Sequence, residues 1–139
     1  MRRFAFLLLA FAATAPEAAE LPRTPAPAGA EVYFITPKDG ETVSGEFVVR
    51  FGLKGMGIAP AGIKADKTGH HHLIVDAALP PAGQPIATDD HHRHFGLGQT
   101  ETTLKLPPGK HTLQLVLGDY LHVPHDPPVV SATITVTVE

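Results

Sequence analysis

All nine histidines of this 139-residue chain fall between His70 and His125. Imidazole changes charge near neutral pH and is the commonest side-chain ligand for transition metals, so such a concentration points to proton handling or to metal coordination. In Gly69-His70-His71-His72-Leu73-Ile74-Val75-Asp76, a strand would send successive side chains to opposite faces. His70 and His72 then share a face with Ile74 and Asp76. Their Cα atoms would lie about 7 Å apart, close enough for both rings to reach one ion. His71 travels with Leu73 and Val75 on the other face and is expected to be structural. His92 and His94 repeat the spacing in Asp89-Asp90-His91-His92-Arg93-His94, in a loop or short edge strand. His111 heads the apolar series Leu113, Leu115, Leu117 and is expected to be hydrogen-bonded at the core margin. His122 and His125 stand three apart in a proline-stiffened segment, where ordering costs little entropy.

Two imidazoles alone leave a Cu(II) or Zn(II) ion mostly to water. The expected ligand set is therefore His70 and His72, joined by at least one of His94, His122 and His125 from loops. Nitrogen and oxygen donors without thiolate suit Cu(II) or Zn(II), with Ni(II) as a further option. A ligating imidazole must be neutral and its free pKa is about 6.5, so affinity is expected to fall between about pH 7 and 5.

The chain contains no cysteine, which excludes disulfides, thiolate clusters, a cysteine nucleophile and a blue-copper centre. Eleven Lys and Arg against fourteen Asp and Glu give a formal charge of −3. No basic surface is available for nucleic acid or anionic lipid. The serines are Ser44 and Ser131, and neither sits in a Gly-x-Ser-x-Gly elbow.

The elements that must position these donors follow from the punctuation of the chain. Met1-Arg2-Arg3 followed by the apolar run Phe4 to Ala13 reads as a signal peptide, over residues 1–19, too short to span a bilayer. The product is expected to be periplasmic or secreted, with no stable membrane anchor after cleavage. Residues 20–30, carrying Pro22, Pro25 and Pro27, are expected to be an extended Pro/Ala-rich linker. From residue 31 to 139, short apolar stretches alternate with Pro and Gly turns and helical periodicity is lacking. Strands are expected at Val32 to Thr36, Thr42 to Leu53, His71 to Asp76, Thr102 to Leu106, His111 to Leu117 and Val130 to Val138. This is the pattern of an all-β protein, a single antiparallel immunoglobulin-like β-sandwich, with a small closed barrel as the alternative.

The strings TGHHHLIVD (Thr68 to Asp76), HFGLGQTETTLKLPPGKHTLQLVLGD (His94 to Asp119) and HVPHDPPVVS (His122 to Ser131) resemble a bacterial family of exported domains of unknown function, numbered forty-three ninety-nine. The resemblance runs from about Val32 to Val138. It implies roles for His70, His71, His72, Asp76, His94, Gln99, Glu101, His111, Asp119, His122 and His125, and brings no established activity with it. Of these, His71, Asp76, Gln99, Glu101, His111 and Asp119 are expected to support or to build structure rather than ligate. Leu97 departs from the pattern, where a glycine would be expected, and His91 lies outside it.

The favoured reading is a metal-binding module for storage, delivery or sensing rather than an enzyme. An envelope-interaction or structural module, its histidines absorbed in hydrogen-bonded loops, is the alternative. A superoxide-dismutase-like metalloenzyme is a weaker one. Gly69-His70-His71-His72 is similar to the glycine-then-His-x-His strand of the copper–zinc dismutases, but the disulfide of that family is missing.

Overall fold

The computed structural model describes residues 19–139; the leader expected over residues 1–19 lies outside them except for Ala19. Among the described residues nine strands form: β1 (Glu31–Thr36), β2 (Thr42–Val43), β3 (Glu46–Lys54), β4 (Gly57–Ile58), β5 (Thr68–Val75), β6 (His92–His94), β7 (Glu101–Lys105), β8 (Gly109–Gly118) and β9 (Ile134–Val138). They make two sheets. One has the order β1-β3-β7, and the other runs β2-β9-β8-β5-β4 with β6 also paired to β5.

Period-two alternation explains how the sheets meet. Ile134, Val136 and Val138 of β9 are buried and the threonines between them are not fully so, which leaves one face for the partner sheet. Leu113, Leu115 and Leu117 of β8 join Leu73 and Val75 of β5 on that inner face. Opposite them pack Val32, Phe47, Val49, Phe51 and Leu104 from the smaller sheet. This all-β, two-sheet sandwich has one central core.

Three expectations need correction. Thr42 to Leu53 is not one strand: the chain changes sheet at Ser44-Gly45, so β2 pairs with β9 and β3 with β1 and β7. The sandwich is not purely antiparallel, because β2 runs parallel to β9 and β4 parallel to β5. The last strand begins at Ile134 rather than Val130. Before it, the Leu115 amide donates to Ser131 Oγ at 2.9 Å, a side chain taking the place of a ladder partner.

The outer face of the larger sheet is also covered. Ile86, Ala77 and Val130 pack onto Ile74 and Val116, so β5 is buried on both sides and all its residues after Thr68 are inaccessible. The expected linker is extended but not free. The Leu21 amide donates to Gly83 O (2.8 Å), the Asp126 amide to Thr24 O (3.0 Å) and the Ala26 amide to Asp126 O (2.9 Å).

Candidate metal centre

Strand pairing assembles the site. In β5, His70 lies opposite Gly118 and His72 opposite Val116 of β8, both on the sheet's outer face with Ile74. On the other edge of β5, His94 of β6 is directly paired with His72. Directly opposed residues project from the same face of a sheet, so His94 must join the first two. The fourth ring comes from the loop after β8. There Asp119 Oδ1 accepts the amides of Leu121 (2.8 Å) and Val123 (3.0 Å), and the His122 amide donates to Asp119 O at 2.9 Å. This tight turn holds His122 at φ 66°, a left-handed value uncommon outside glycine.

His70, His72, His94 and His122 each present one ring nitrogen within 4.8 Å of the others. His70 Nε2 and His122 Nδ1 are 3.2 Å apart. A tetrahedral ion with bonds of about 2.0–2.1 Å has ligand atoms separated by roughly 3.4 Å. The ring centroids are all mutually close, from 4.7 Å for His70–His72 and His94–His122 to 6.0 Å for His72–His122. Two glycines make room for this crowding. A Cβ on Gly118 would lie 2.7 Å from His72 Cε1, and one on Gly96 would lie 2.3 Å from His94 Cε1.

The electrostatics favour the neutral form of His70, His72 and His94. Burial, reinforced by the neighbouring histidines, lowers the His72 pKa to about 2. Burial followed by repulsion from His122 and His94 lowers that of His70 to about 4, with the Asp119 carboxylate opposing the shift. His94 is lowered by burial and then by His122. Lone pairs are therefore available at neutral pH. His70 Nδ1, both nitrogens of His72 and His94 Nε2 are buried with no hydrogen-bond partner among the described residues. Leaving such atoms unsatisfied costs about 1–3 kcal/mol each, and a shared ion would satisfy one on each ring. The donor set fits a transition metal.

The remaining candidates lie elsewhere. His125, expected as a ligand, turns Nδ1 toward Leu117 O (3.3 Å) and Nε2 toward Thr68 O (3.2 Å). It lies under Gly69, where an added Cβ would meet its Cε1 at 2.9 Å. Its three-residue separation from His122 places it across the turn, outside the cluster. His71 occupies the core beside Phe51, ring centroids 5.0 Å apart. Neither of its nitrogens has a partner among the described residues, and burial lowers its pKa to about 4.

His111 Nδ1 donates to Asp76 Oδ2 at 2.6 Å and its Nε2 faces Pro107 O at 2.8 Å, tying the start of β8 to the end of β5. Asp76 therefore leaves the His72 face for a separate role. Gln99 Oε1 accepts the Leu97 amide at 3.0 Å. The turn there takes its positive φ at Gly98 (86°), so it tolerates Leu97. Glu101 pairs with Arg50 on the smaller sheet at 2.9 Å, remote from the cluster in the topology. His92 meets Asp89 at 2.8 Å, and His91 Nδ1 donates to Val75 O at 2.8 Å. Sequence reasoning missed Gly96 and Gly118 as site residues. A glycine inside or beside a strand, next to histidine, was the available signal of a close approach.

Fold and site together define a two-sheet β-sandwich carrying a four-histidine centre on its outer face. The chain belongs to the family described as Domain of unknown function (DUF4399), whose model matches residues 49–139. No curated protein matches it. Among solved structures it is similar to the endo-β-1,4-mannanase from Thermotoga petrophila, with 19% identity and a TM-score of 0.47 over 79% of this chain and 20% of that one. It is also similar to the fibronectin(III)-like modules of Clostridium thermocellum CbhA, with 16% identity and a TM-score of 0.40 over 78% of this chain and 45% of that one. The chain thus spans a fifth of the first and under half of the second.

Proposed function

We propose that this chain is an exported, periplasmic or secreted, metal-binding module that takes up one divalent ion, Zn(II) or Cu(II), for binding, storage or delivery. The observation that carries the reading is the convergence of four imidazoles, from β5, β6 and the loop after β8, within 4.8 Å. Four donors complete a tetrahedral shell, whereas catalytic zinc keeps a position open for water or substrate. That favours a binding role over catalysis.

The arrangement of the rings favours zinc over Cu(II). A square of four donors, as Cu(II) prefers, has two opposite separations longer than its edges by a factor of about 1.4. Here His72–His122 is 6.0 Å but the complementary pair His70–His94 is 5.1 Å, close to the other separations. The ring centres are thus spaced more like the corners of a tetrahedron than those of a square. The leader read over residues 1–19 supports export. Among the described residues no helix is long and apolar enough to cross a membrane. An immunoglobulin-like strand arrangement is proposed for the sandwich on its strand pattern.

Elemental analysis of protein purified without a nickel column tests the proposal. About one equivalent of zinc or copper per chain is expected, and metal-free protein that also fails to take up either ion in titration would exclude it.

A further inference from the structure

Three of the four candidate ligands stand on β-strands, and one does not. His122 is held by a five-residue turn in a backbone conformation that a non-glycine residue disfavours. Whatever stabilises that turn sets where the fourth imidazole stands.

Asp119 stabilises the turn from within. It is fully buried, and its Oδ1 is occupied by the amides of Leu121 and Val123. Its other oxygen, Oδ2, accepts Thr24 Oγ1 at 2.6 Å, across 95 residues of sequence. A carboxylate anchored at one oxygen can still swing about its side-chain bond. Anchored at both, it fixes the plane in which the two amides must lie. Thr24 therefore completes the hold on the turn from outside it.

The same N-terminal segment grips the far side of His122. Arg23 donates to Pro124 O and His125 O and pairs with Asp126 at 3.3 Å. The backbones of Thr24, Ala26 and Asp126 exchange hydrogen bonds. Residues 23–26 thus form a strap across both flanks of the histidine-bearing loop, hydrogen-bonded to its turn and to the residues after it.

We infer that Thr24, acting through Asp119, is a positioning residue for the metal centre, so that the N-terminal strap sets the affinity of the site by holding His122 in place. This rests on the metal-binding reading of the four histidines. Docked, the strap presents a preorganised fourth ligand; released, it leaves the three strand histidines with a mobile fourth. Preorganisation raises affinity because the ordering cost is met before the ion arrives.

The test is a double-mutant cycle on the full chain, read as zinc affinity by competition with a chromophoric chelator. Thr24→Val should lower affinity about tenfold, within the range typical of residues that orient metal ligands, and Thr24→Ser should restore it. His122→Ala should lower it more. In the His122→Ala background, Thr24→Val should have no further effect, because the ligand it positions is gone. Equal affinity of Thr24→Val and parent overturns the inference, as does a tenfold loss that persists without His122. If Thr24→Val does not fold, Arg23→Gln, which loosens the strap at its other anchor, takes its place in the cycle with the same two readings. A parent protein that binds no zinc instead overturns the metal reading itself, which separates the two failures.

Discussion

His70 Nε2 and His122 Nδ1 face each other at 3.2 Å across 52 residues of sequence. One ring stands on β5, an interior strand of the larger sheet, and the other on a loop clamped by Asp119. Hydrogen bonding between them satisfies one nitrogen on each and leaves the His72 nitrogens without partners among the described residues. An ion satisfies all four rings at once, and the expectations below follow from that difference.

Gly96→Ala should weaken metal binding roughly tenfold or more while leaving the melting temperature of the apo protein nearly unchanged. The new methyl would lie 2.3 Å from His94 Cε1 and 2.6 Å from its Nε2, so the ring must leave its place. Zinc titration beside a thermal melt checks both halves. Unaltered affinity would show that His94 is not needed where it stands.

His71→Leu should stabilise the apo protein by about 1–2 kcal/mol, because an imidazole with two buried unpaired nitrogens gives way to an apolar side chain in an apolar core. Neither His71 nitrogen has a partner among the described residues, so the replacement strands no group. Urea unfolding measures the change. Metal affinity should stay at the parental level, and its loss would mean that His71 reaches the centre.

Acid should destabilise the apo fold between about pH 6.5 and 4. His70 and His71 have folded pKa values of about 4, and His72 of about 2, against an ordinary 6.5. A histidine whose pKa is depressed on folding binds fewer protons in the native state. Its contribution is intact above 6.5 and is lost as pH falls toward the folded value, by up to about 1.4 kcal/mol per pH unit for each proton taken up on unfolding. The depressed values also move proton competition with metal downward for His70 and His72. Affinity should fall most steeply as pH approaches the His70 value of about 4 rather than across pH 7 to 5. Titrations at several pH values would register a midpoint near 6.5 as evidence against buried ligands.

Asp76→Asn should cost about 1–2 kcal/mol at pH 6 and leave metal binding unchanged, because it removes a charge-assisted bond to His111. Asn tolerates the φ of 53° at this position, so the backbone need not move. Burial raises the Asp76 pKa, but the bonds from His111 and the Thr112 amide outweigh it and the net shift is downward. The bond to Asp76 raises that of His111. The carboxylate contribution is present above about 3.8 and lost as pH falls through the lowered value. The imidazolium contribution is present below about 6.5 and lost as pH rises through the raised one. The penalty of the variant, measured by chemical unfolding, should therefore be largest between those limits. A penalty that grows steadily above pH 8 would exclude the ion pair.

Much of the site was legible in residue order because strand alternation is local. His70 and His72 share a face, and His71 faces the core with Leu73, as period two requires. What was not legible depended on pairing between distant strands. His94 joins the centre because β6 aligns it with His72, a register no local pattern discloses. His122 and His125 looked equivalent, yet the turn built on Asp119 sends one to the cluster and the other beneath Gly69. The two short parallel strands and the change of sheet at Ser44-Gly45 were hidden for the same reason. Two-residue strands carry no periodicity of their own.

Zinc titration by calorimetry, comparing the parent with the His70→Ala/His72→Ala double variant and with His125→Ala, measures the ligand set directly. The parent and His125→Ala should each bind one ion per chain with similar affinity, and the double variant should lose tight binding while keeping its β-sheet circular-dichroism spectrum. Tight one-to-one binding by the folded double variant would contradict the four-histidine centre.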